Sequence, residues 1–146
     1  MIKPIYISRP LLNFAPFQMY AADLGFNNVV PDMHVTLAYS RQPVPWHWPV
    51  FMPQDGEITI SGPNRNLRRF DGGAVVLEFS SQRLDFRWSR LVANGASWDY
   101  PTYRSHITLA YNVPDNVDID SLPVIQTNIH LGGEQREELN LDYSNG

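Results

Sequence analysis

The 146-residue sequence contains no cysteine. This absence excludes disulfide scaffolds, thiol catalysis and cysteine-ligated zinc, and it suits the reducing cytoplasm in which we expect the protein to act. Lysine is almost absent too, because ten of the 11 basic residues are arginine and only Lys3 is lysine. Arginine binds phosphate in a bidentate manner and stacks on flat rings, so this bias favours contacts with phosphates and bases.

The sequence also lacks an excess of positive charge and any long apolar run. Eleven Lys and Arg stand against 15 Asp and Glu, which gives a net charge of −4. This balance argues against binding of long nucleic acid, which depends on many cationic contacts, but it leaves open a small anionic ligand in a locally positive pocket. The apolar segment before Ser8 is too short for a signal sequence or a membrane span, so we expect no membrane association.

Flexible linkers and low-complexity tracts are missing as well. The length is typical of one domain, and we expect residues 1–146 to form a single bilobal domain. Asn13 and Ser81 are the expected N-caps of two helices, and a Pro-rich segment over 43–53 is expected to be an ordered loop. Helices are predicted over 13–25 and 81–94, and strands over 2–7, 33–40, 57–61, 66–70, 74–79, 104–112, 124–131 and 137–141.

An internal repeat is the strongest signal in the sequence. The segment His34–Tyr39 (HVTLAY) recurs 72 residues later as His106–Tyr111 (HITLAY). Ser8 and Ser80 end predicted strands 26 residues before the two histidines, and each interval contains one helix closed by a glycine. The repeat therefore predicts an α+β fold of two pseudo-symmetric β-α-β lobes, with antiparallel sheets around a central cleft.

The repeated strands predict the chemistry of this cleft. In each copy, the period of two places the histidine, threonine and alanine on one face and the other three residues, including the tyrosine, on the core face. Duplication then brings His34, Thr36, His106 and Thr108 to one volume. One neutral imidazole can take a proton from an attacking oxygen, and one protonated imidazole can give a proton to the leaving oxygen. Threonine hydroxyls would bind the non-bridging phosphate oxygens, so this set suits phosphodiester cleavage with no metal and no cofactor.

The two His-x-Thr segments resemble the paired motifs of the 2H phosphoesterase superfamily. The resemblance covers residues 1 to about 112, and it implies action on 2′,3′-cyclic phosphates, RNA ends or cyclic oligonucleotides. The segment Gly95–Pro101 (GASWDYP) further resembles the phage branch, in which anti-CBASS nucleases degrade the cyclic nucleotides of a bacterial defence system. The segment Gly132–Glu134 is similar to the Gly-Pro-Glu of that branch but departs from it at the proline, and Tyr143 stands where a tryptophan is more usual.

The resemblance implies roles for five residues. His34 and His106 would be the acid/base pair, Thr36 and Thr108 would bind phosphate, and Glu134 would contact the substrate. The expected activity is hydrolysis of 3′3′-cyclic di- and trinucleotides by a metal-independent phage counter-defence enzyme. The alternatives are a 2′,3′-cyclic phosphodiesterase on RNA ends and a sponge that binds cyclic nucleotides without cleaving them. The sequence leaves open which histidine is the base, whether water or a 2′-hydroxyl attacks, and the oligomeric state.

Four further residues are candidates for substrate binding. Tyr6 is out of phase with its apolar strand neighbours, so it either stacks on a base in the cleft or packs on the sheet. Trp98 and Tyr100 precede the second motif and form either a wall of the cleft or a packed loop. Arg104 has the same parity as His106, and it either holds a phosphate or forms a salt bridge at the rim.

One basic cluster, formed by Arg65, Arg68 and Arg69, remains outside these motifs. The acidic total argues against an extended RNA-binding track. We therefore expect the cluster to be the solvated edge of a strand.

Overall fold

The structure is a computed structural model that describes residues 1–140. Its helices are α1 (Phe14–Asp23) and α2 (Gln82–Ala93), and two 3-10 turns span Pro49–Phe51 and Ile119–Ser121. Its strands are β1 (Ile2–Pro10), β2 (Asn28–Val29), β3 (His34–Pro45), β4 (Ile58–Ile60), β5 (Arg65–Arg69), β6 (Val75–Phe79), β7 (His106–Tyr111), β8 (Ile129–Leu131) and β9 (Gln135–Glu138). The predicted α+β class is confirmed.

The strands of residues 1–140 form three antiparallel sheets. The first has the order β3-β1-β9, the second β2-β7-β6-β5, and the third is the pair β4-β8. The two motif strands, β3 and β7, therefore lie in different sheets, and each pairs with the strand that precedes its helix, β1 and β6 respectively. Since β3 and β7 also contact each other, the two sheets meet along the repeated motifs.

The helices join the two halves of the molecule. Phe17 and Ala21 of α1 and Leu84 and Leu91 of α2 are buried in the core. The helix α1 follows β1 in the chain but packs against β2 and β7, whereas α2 follows β6 and packs against β3. Each helix thus contacts the motif strand of the other half. No helix within residues 1–140 has the length and apolar character that crossing a membrane requires.

The ends of the helices test the predicted caps. The Ser81 hydroxyl accepts from the backbone N–H of Leu84 at 3.2 Å, which confirms it as the cap of α2. Asn13 occupies the predicted N-cap position of α1, but its side chain makes no cap bond there. Its amide instead donates to the carbonyl of Asn128 at 2.7 Å, and its oxygen accepts from the N–H of His130 at 3.0 Å. Asn13 therefore fixes the approach to β8, a distant segment that spacing along the chain does not indicate.

A β-bulge occurs at the same place in both motif strands. Ser8 lies opposite Thr36 but Ile7 lies opposite Ala38, so Leu37 has no partner on β1. In the second half, Thr108 and Ala110 face consecutive residues of β6, and Leu109 is the residue left over. A bulge reverses the alternation of faces beyond it, so the strict period of two fails after each threonine.

The bulges change the positions of four motif residues. Ala38 and Ala110, expected on the cleft face, are buried on the core face. Tyr39 and Tyr111, expected in the core, lie on the face of the histidines. Tyr39 meets Tyr6 edge-on with ring centroids 6.1 Å apart, and Tyr111 is 53% exposed. The prediction of these faces was wrong because it treated the strand as regular.

Predicted strand boundaries also differ from the structure, as does the predicted equivalence of Ser8 and Ser80. The strand β3 continues to Pro45 through the segment that we expected to be a loop, because an edge strand tolerates residues without an N–H. The last predicted strand begins earlier, as β9, and Leu141 lies outside the described residues. Ser8 and Ser80 each lie 26 residues before a motif histidine, but they are not equivalent in the structure. The residue opposite Thr36 is Ser8, whereas the residue opposite Thr108 is Val76 and not Ser80.

Candidate active site

Both motif histidines are held by the same main-chain contact. His34 Nδ1 lies 2.8 Å from the carbonyl oxygen of Asp32, and His106 Nδ1 lies 2.9 Å from the carbonyl oxygen of Arg104. Because a carbonyl oxygen only accepts, Nδ1 carries a proton on each ring. Nε2 is then the nitrogen of each imidazole that exchanges protons with a ligand.

The His34 side of the site contains a short hydrogen-bonded chain. The Tyr6 hydroxyl lies 2.9 Å from His34 Nε2 and 3.0 Å from Thr36 Oγ1. Burial raises the pKa of Tyr6, so the phenol stays protonated, and its hydroxyl bridges the imidazole and the threonine. Tyr6 therefore lies on the cleft face, where it links the two residues of the first motif.

The His106 side of the site is drier. The His106 ring meets the edge of Phe70 at a centroid distance of 5.1 Å. The pKa of His106 is lowered, mainly by burial and further by the charges of His34 and Arg68. The Arg104 carbonyl and the charge of Glu78 oppose this effect by raising the pKa. The charge of His34 thus acts on His106, and the strands that carry the two imidazoles contact each other.

The hydroxyls of the two motifs have different surroundings. Thr36 is bonded to Tyr6 through its side chain, and its carbonyl accepts from the Tyr103 hydroxyl at 2.8 Å. Thr108 is half-buried opposite Val76 on β6. Both threonines share the face of their histidine, as the sequence predicts.

A cavity of about 690 Å³ opens beside His34. Tyr6, Ser8, Gln135 and Glu137 contribute to its lining. The last two residues come from β9, in which Gln135 faces Ser8 and Glu137 faces Tyr6. Sequence reasoning missed both, because no local signal shows that the C-terminal strand pairs with β1.

Glu134, the predicted substrate contact, lies in a buried ion pair. Its side chain has no exposed surface, and Arg87 binds both of its oxygens at 2.8 and 2.9 Å. Arg9 lies 3.8 Å away, and the Gln54 N–H donates to the same carboxylate at 3.1 Å. A substrate contact by Glu134 stays a prediction, and its contacts here are those of a carboxylate that stabilises the fold.

Trp98 and Tyr100 belong to an aromatic cluster beside α2. Trp98 contacts the rings of Trp88 and Tyr103, and its indole donates to the carbonyl of Thr102 at 3.1 Å. Tyr100 meets the edge of Trp98 and is exposed. These contacts match the alternative in which the loop packs on the domain, and substrate binding by either residue stays a prediction.

Arg104 reaches the site through its backbone. The strand β7 begins at His106, so the parity argument that placed the Arg104 side chain on the cleft face does not apply. That side chain is exposed, while its carbonyl holds His106 Nδ1. Phosphate binding by its guanidinium stays a prediction.

The cluster of Arg65, Arg68 and Arg69 lies on the edge strand β5 but is solvated only in part. Arg65 is buried and donates to the carbonyls of Ile125 and Thr127. Arg69 donates to carbonyls of residues 113–117, and Arg68 pairs with Glu78 at 3.2 Å. The expectation holds for Arg68, which is exposed on the edge strand β5. It was wrong for Arg65 and Arg69, because the loops that they bind are far from them in the sequence.

Metal ligands do not gather within residues 1–140, where no group of three or more His, Asp or Glu could hold an ion. His130, outside the motifs, bonds through Nδ1 to the Thr59 hydroxyl at 3.0 Å.

The chain has the fold of solved phosphoesterases, and its paired motifs resemble those of the 2H class. The crystal structure of a phosphoesterase superposes on this chain with a TM-score of 0.62 at 14% sequence identity. The superposition covers 93% of this chain and 87% of the phosphoesterase chain. Escherichia coli LigT in its apo form superposes with a TM-score of 0.51 at 14% identity, and covers 94% and 96% of the two chains. At these identities the likeness shows the fold.

The chain belongs to the Anti-CBASS protein Acb1 family, whose model matches residues 3–146. The Anti-CBASS protein Acb1 of Sphingomonas paeninsulae is 36% identical to this chain over 97% of its residues. The protein of the same name from Enterobacteria phage T4 is 35% identical over 80% of this chain. The match covers 74% of the T4 protein but only 24% of the Sphingomonas protein. A relative from Caulobacter sp. (strain RHG1) is also 36% identical, and the match covers 23% of its length. The chain thus spans about a quarter of the length of these two bacterial relatives.

Proposed function

We propose that the protein is a metal-independent phosphodiesterase that hydrolyses 3′3′-cyclic di- and trinucleotides. It would act in the host cytoplasm, as a phage enzyme that counters CBASS signalling. One observation carries the proposal: the two motif strands contact each other, and each motif imidazole has its Nδ1 fixed by the carbonyl two residues earlier. Membership of the anti-CBASS family supports the same substrate class.

The surroundings of the two histidines support a different role for each. His106 is packed against Phe70, and burial lowers its pKa, so at neutral pH its Nε2 is unprotonated and serves as the general base. It removes the proton of the attacking oxygen, which belongs to water or to the ribose 2′-hydroxyl. His34 is then the general acid, whose Nε2–H gives its proton to the leaving oxygen.

The hydrogen-bonded chain of the first motif prepares the acid. Tyr6 holds the place at His34 Nε2 that the leaving oxygen takes when the substrate binds. The same phenol orients the Thr36 hydroxyl. Thr36 and Thr108 bind the non-bridging oxygens, on which negative charge grows during the reaction.

Cleavage in EDTA tests the proposal directly. The protein is incubated with 3′3′-cyclic di-AMP, 3′3′-cyclic GMP–AMP and a cyclic triadenylate in excess EDTA, and the products are followed by mass spectrometry. We expect linear products. Intact substrates at stoichiometric enzyme would overturn the proposal, and intact ligand recovered from a tight complex would favour the sponge instead.

Substitution of the histidines tests the division of labour. We expect His34→Ala and His106→Ala each to reduce kcat at least about a hundredfold, since positioned proton transfer contributes roughly 10²–10⁴-fold per group. The double variant should be little slower than either single variant, because residues that act as a unit are not additive. Single variants with near wild-type rates would remove both histidines from catalysis.

A comparison of substrates separates the two enzymatic hypotheses. Turnover of a cyclic dinucleotide is measured beside turnover of an RNA oligonucleotide that ends in a 2′,3′-cyclic phosphate. We expect the higher kcat/KM on the cyclic dinucleotide. The opposite order would assign the protein to RNA ends.

A further inference from the structure

The second motif lies on a polar sheet face that extends beyond its histidine and threonine. Strand pairing places His106 of β7 opposite Glu78 of β6, and Glu78 opposite Asn66 of β5. Residues that lie directly opposite each other in a sheet point to the same face. Two positions along β5, this face also carries Arg68. The face of His106 therefore continues across two further strands and ends in an arginine.

Glu78 anchors the guanidinium of Arg68. Glu78 is only 4% exposed, and its two carboxylate oxygens accept from different residues, the Asn66 amide at 3.0 Å and Arg68 Nη1 at 3.2 Å. The Arg68 side chain is nevertheless 55% exposed. Because a guanidinium has five N–H donors in a planar fork, Arg68 can bond to Glu78 through one edge and to an anion through its exposed edge.

Phe70 connects this guanidinium with His106. The guanidinium carbon of Arg68 lies 5.6 Å from the centre of the Phe70 ring, and that centre lies 5.1 Å from the centre of the imidazole. The guanidinium is therefore no farther from the imidazole than these two distances placed end to end. Neighbouring phosphates of a nucleotide chain are separated by one ribose, a span that fits within this limit.

The cavity on the other side of the site has the opposite charge. Asp32 and Glu137 line the cavity beside His34, and among residues 1–140 no lysine or arginine does. Carboxylates at close range repel a phosphate. An additional phosphate of a bound nucleotide is therefore favoured on the side of His106, where Arg68 lies.

We infer that Arg68 binds the second phosphate of the cyclic substrate, the one that neighbours the phosphodiester being cleaved. The inference rests on the proposed function. Bonds from arginine to phosphate are charge-assisted and can be bidentate, so Arg68 favours a ring with two charged linkages over a nucleotide with a single phosphate. Glu78 is the positioning residue that holds the guanidinium at this place.

The test substrates differ by one charge. Cyclic di-AMP is compared with its analogue in which one phosphodiester is replaced by a neutral methylphosphonate, each diastereomer separately. Tandem mass spectrometry identifies the linkage that is opened. Opening of the phosphodiester of the analogue places the neutral linkage at the second position. We expect wild type to prefer cyclic di-AMP by about tenfold in kcat/KM, beyond the factor given by its two equivalent linkages, because a hydrogen bond between charged groups is lost.

Arg68→Gln tests the residue, and Arg90→Gln is the matched control because it removes an exposed arginine from α2. Arg68→Gln should lose activity on cyclic di-AMP more than on the analogue, so that the preference falls to the statistical factor. Arg90→Gln should keep the wild-type preference, and Arg68→Lys, which retains the charge, should keep part of it.

Two results would overturn the inference. The first is a wild-type preference no larger than the statistical factor of about two. The second is an equal loss on both substrates in Arg68→Gln at an unchanged thermal midpoint, which would place Arg68 at the scissile phosphate instead. Should Arg68→Gln fail to fold, Arg68→Lys with a preference as large as that of wild type would support the inference, and the statistical factor alone would oppose it.

Binding distinguishes failure of the inference from failure of the proposed function. Dissociation constants for cyclic di-AMP and its analogue are measured by calorimetry on His34→Ala, which changes the other motif, with and without Arg68→Gln. Tighter binding of cyclic di-AMP that depends on Arg68, without cleavage by wild type, would refute the hydrolase and support the phosphate site. Cleavage without any charge preference would support the hydrolase and refute the phosphate site.

Discussion

At the scale of single residues, the two copies of one motif have acquired different properties from their neighbours. His34 contacts a phenol in an open cavity, whereas His106 packs against Phe70 near Arg68 and Glu78. Desolvation penalises the charged imidazolium, so burial favours the neutral form of His106. A duplicated sequence can therefore supply both a base and an acid.

The pH dependence of the reaction tests the role of His106. As a base it must be unprotonated, so kcat/KM should rise with pH through a midpoint below the ordinary histidine pKa of about 6.5. Arg68→Gln removes a charge that lowers the pKa of His106, and it frees Glu78, whose charge raises that pKa. Both effects should move the midpoint to higher pH.

The control for this shift is Arg90→Gln, which removes an exposed arginine from α2 and should leave the midpoint in place. A pH profile of kcat/KM at constant ionic strength measures both variants. A midpoint that Arg68→Gln moves downward, or that both variants move equally, would contradict the role of His106 as base.

At the scale of elements, the loop that leads into β7 connects the two motifs. Tyr103 stacks on Trp88 with ring centroids 5.5 Å apart, and its hydroxyl donates to the carbonyl of Thr36 at 2.8 Å. The next residue, Arg104, supplies the carbonyl that holds His106. Tyr103 is thus a positioning residue that sets one motif relative to the other.

Tyr103→Phe should reduce kcat about tenfold and leave KM nearly unchanged, since a small misplacement of catalytic groups slows the chemical step. Tyr20→Phe is the matched control, because the Tyr20 hydroxyl also donates to a main-chain carbonyl, that of Pro123, at 2.6 Å. The two variants should lose similar stability, about 1 kcal/mol. If both lower kcat alike, Tyr103 has no positioning role.

At the scale of the whole molecule, arginine binds loops more than it forms a basic surface. Among the described contacts of residues 1–140, donors to main-chain carbonyls include Arg9, Arg65, Arg69, Arg87 and Arg136. Long irregular segments leave carbonyls without partners in a sheet or helix, and buried carbonyls must be paired. The rarity of lysine is therefore explained largely by this internal role, which needs the planar, multi-donor guanidinium.

We expect the buried ion pair of Arg87 and Glu134 to contribute much more to the free energy of unfolding than an exposed ion pair does. Arg87→Met leaves a buried carboxylate without its main partner, so we expect the free energy of unfolding to fall by about 3–5 kcal/mol. Chemical denaturation measures it, with Glu138→Gln as a control that breaks an exposed pair worth roughly 0–1 kcal/mol. A loss below about 1 kcal/mol in Arg87→Met would show that the pair is not needed.

The sequence by itself determined the repeat, the two histidines with their threonines, the helices and the α+β class. These features depend on residues close together in the chain, through strand alternation, helical spacing and capping. The tertiary structure alone decided that bulges turn Tyr39 and Tyr111 toward the cleft, that β9 adds Glu137 to the site, and that Glu134 is enclosed by arginines. Each of these depends on which distant segments pair, and the register of that pairing is set by packing across the whole core rather than by any local pattern.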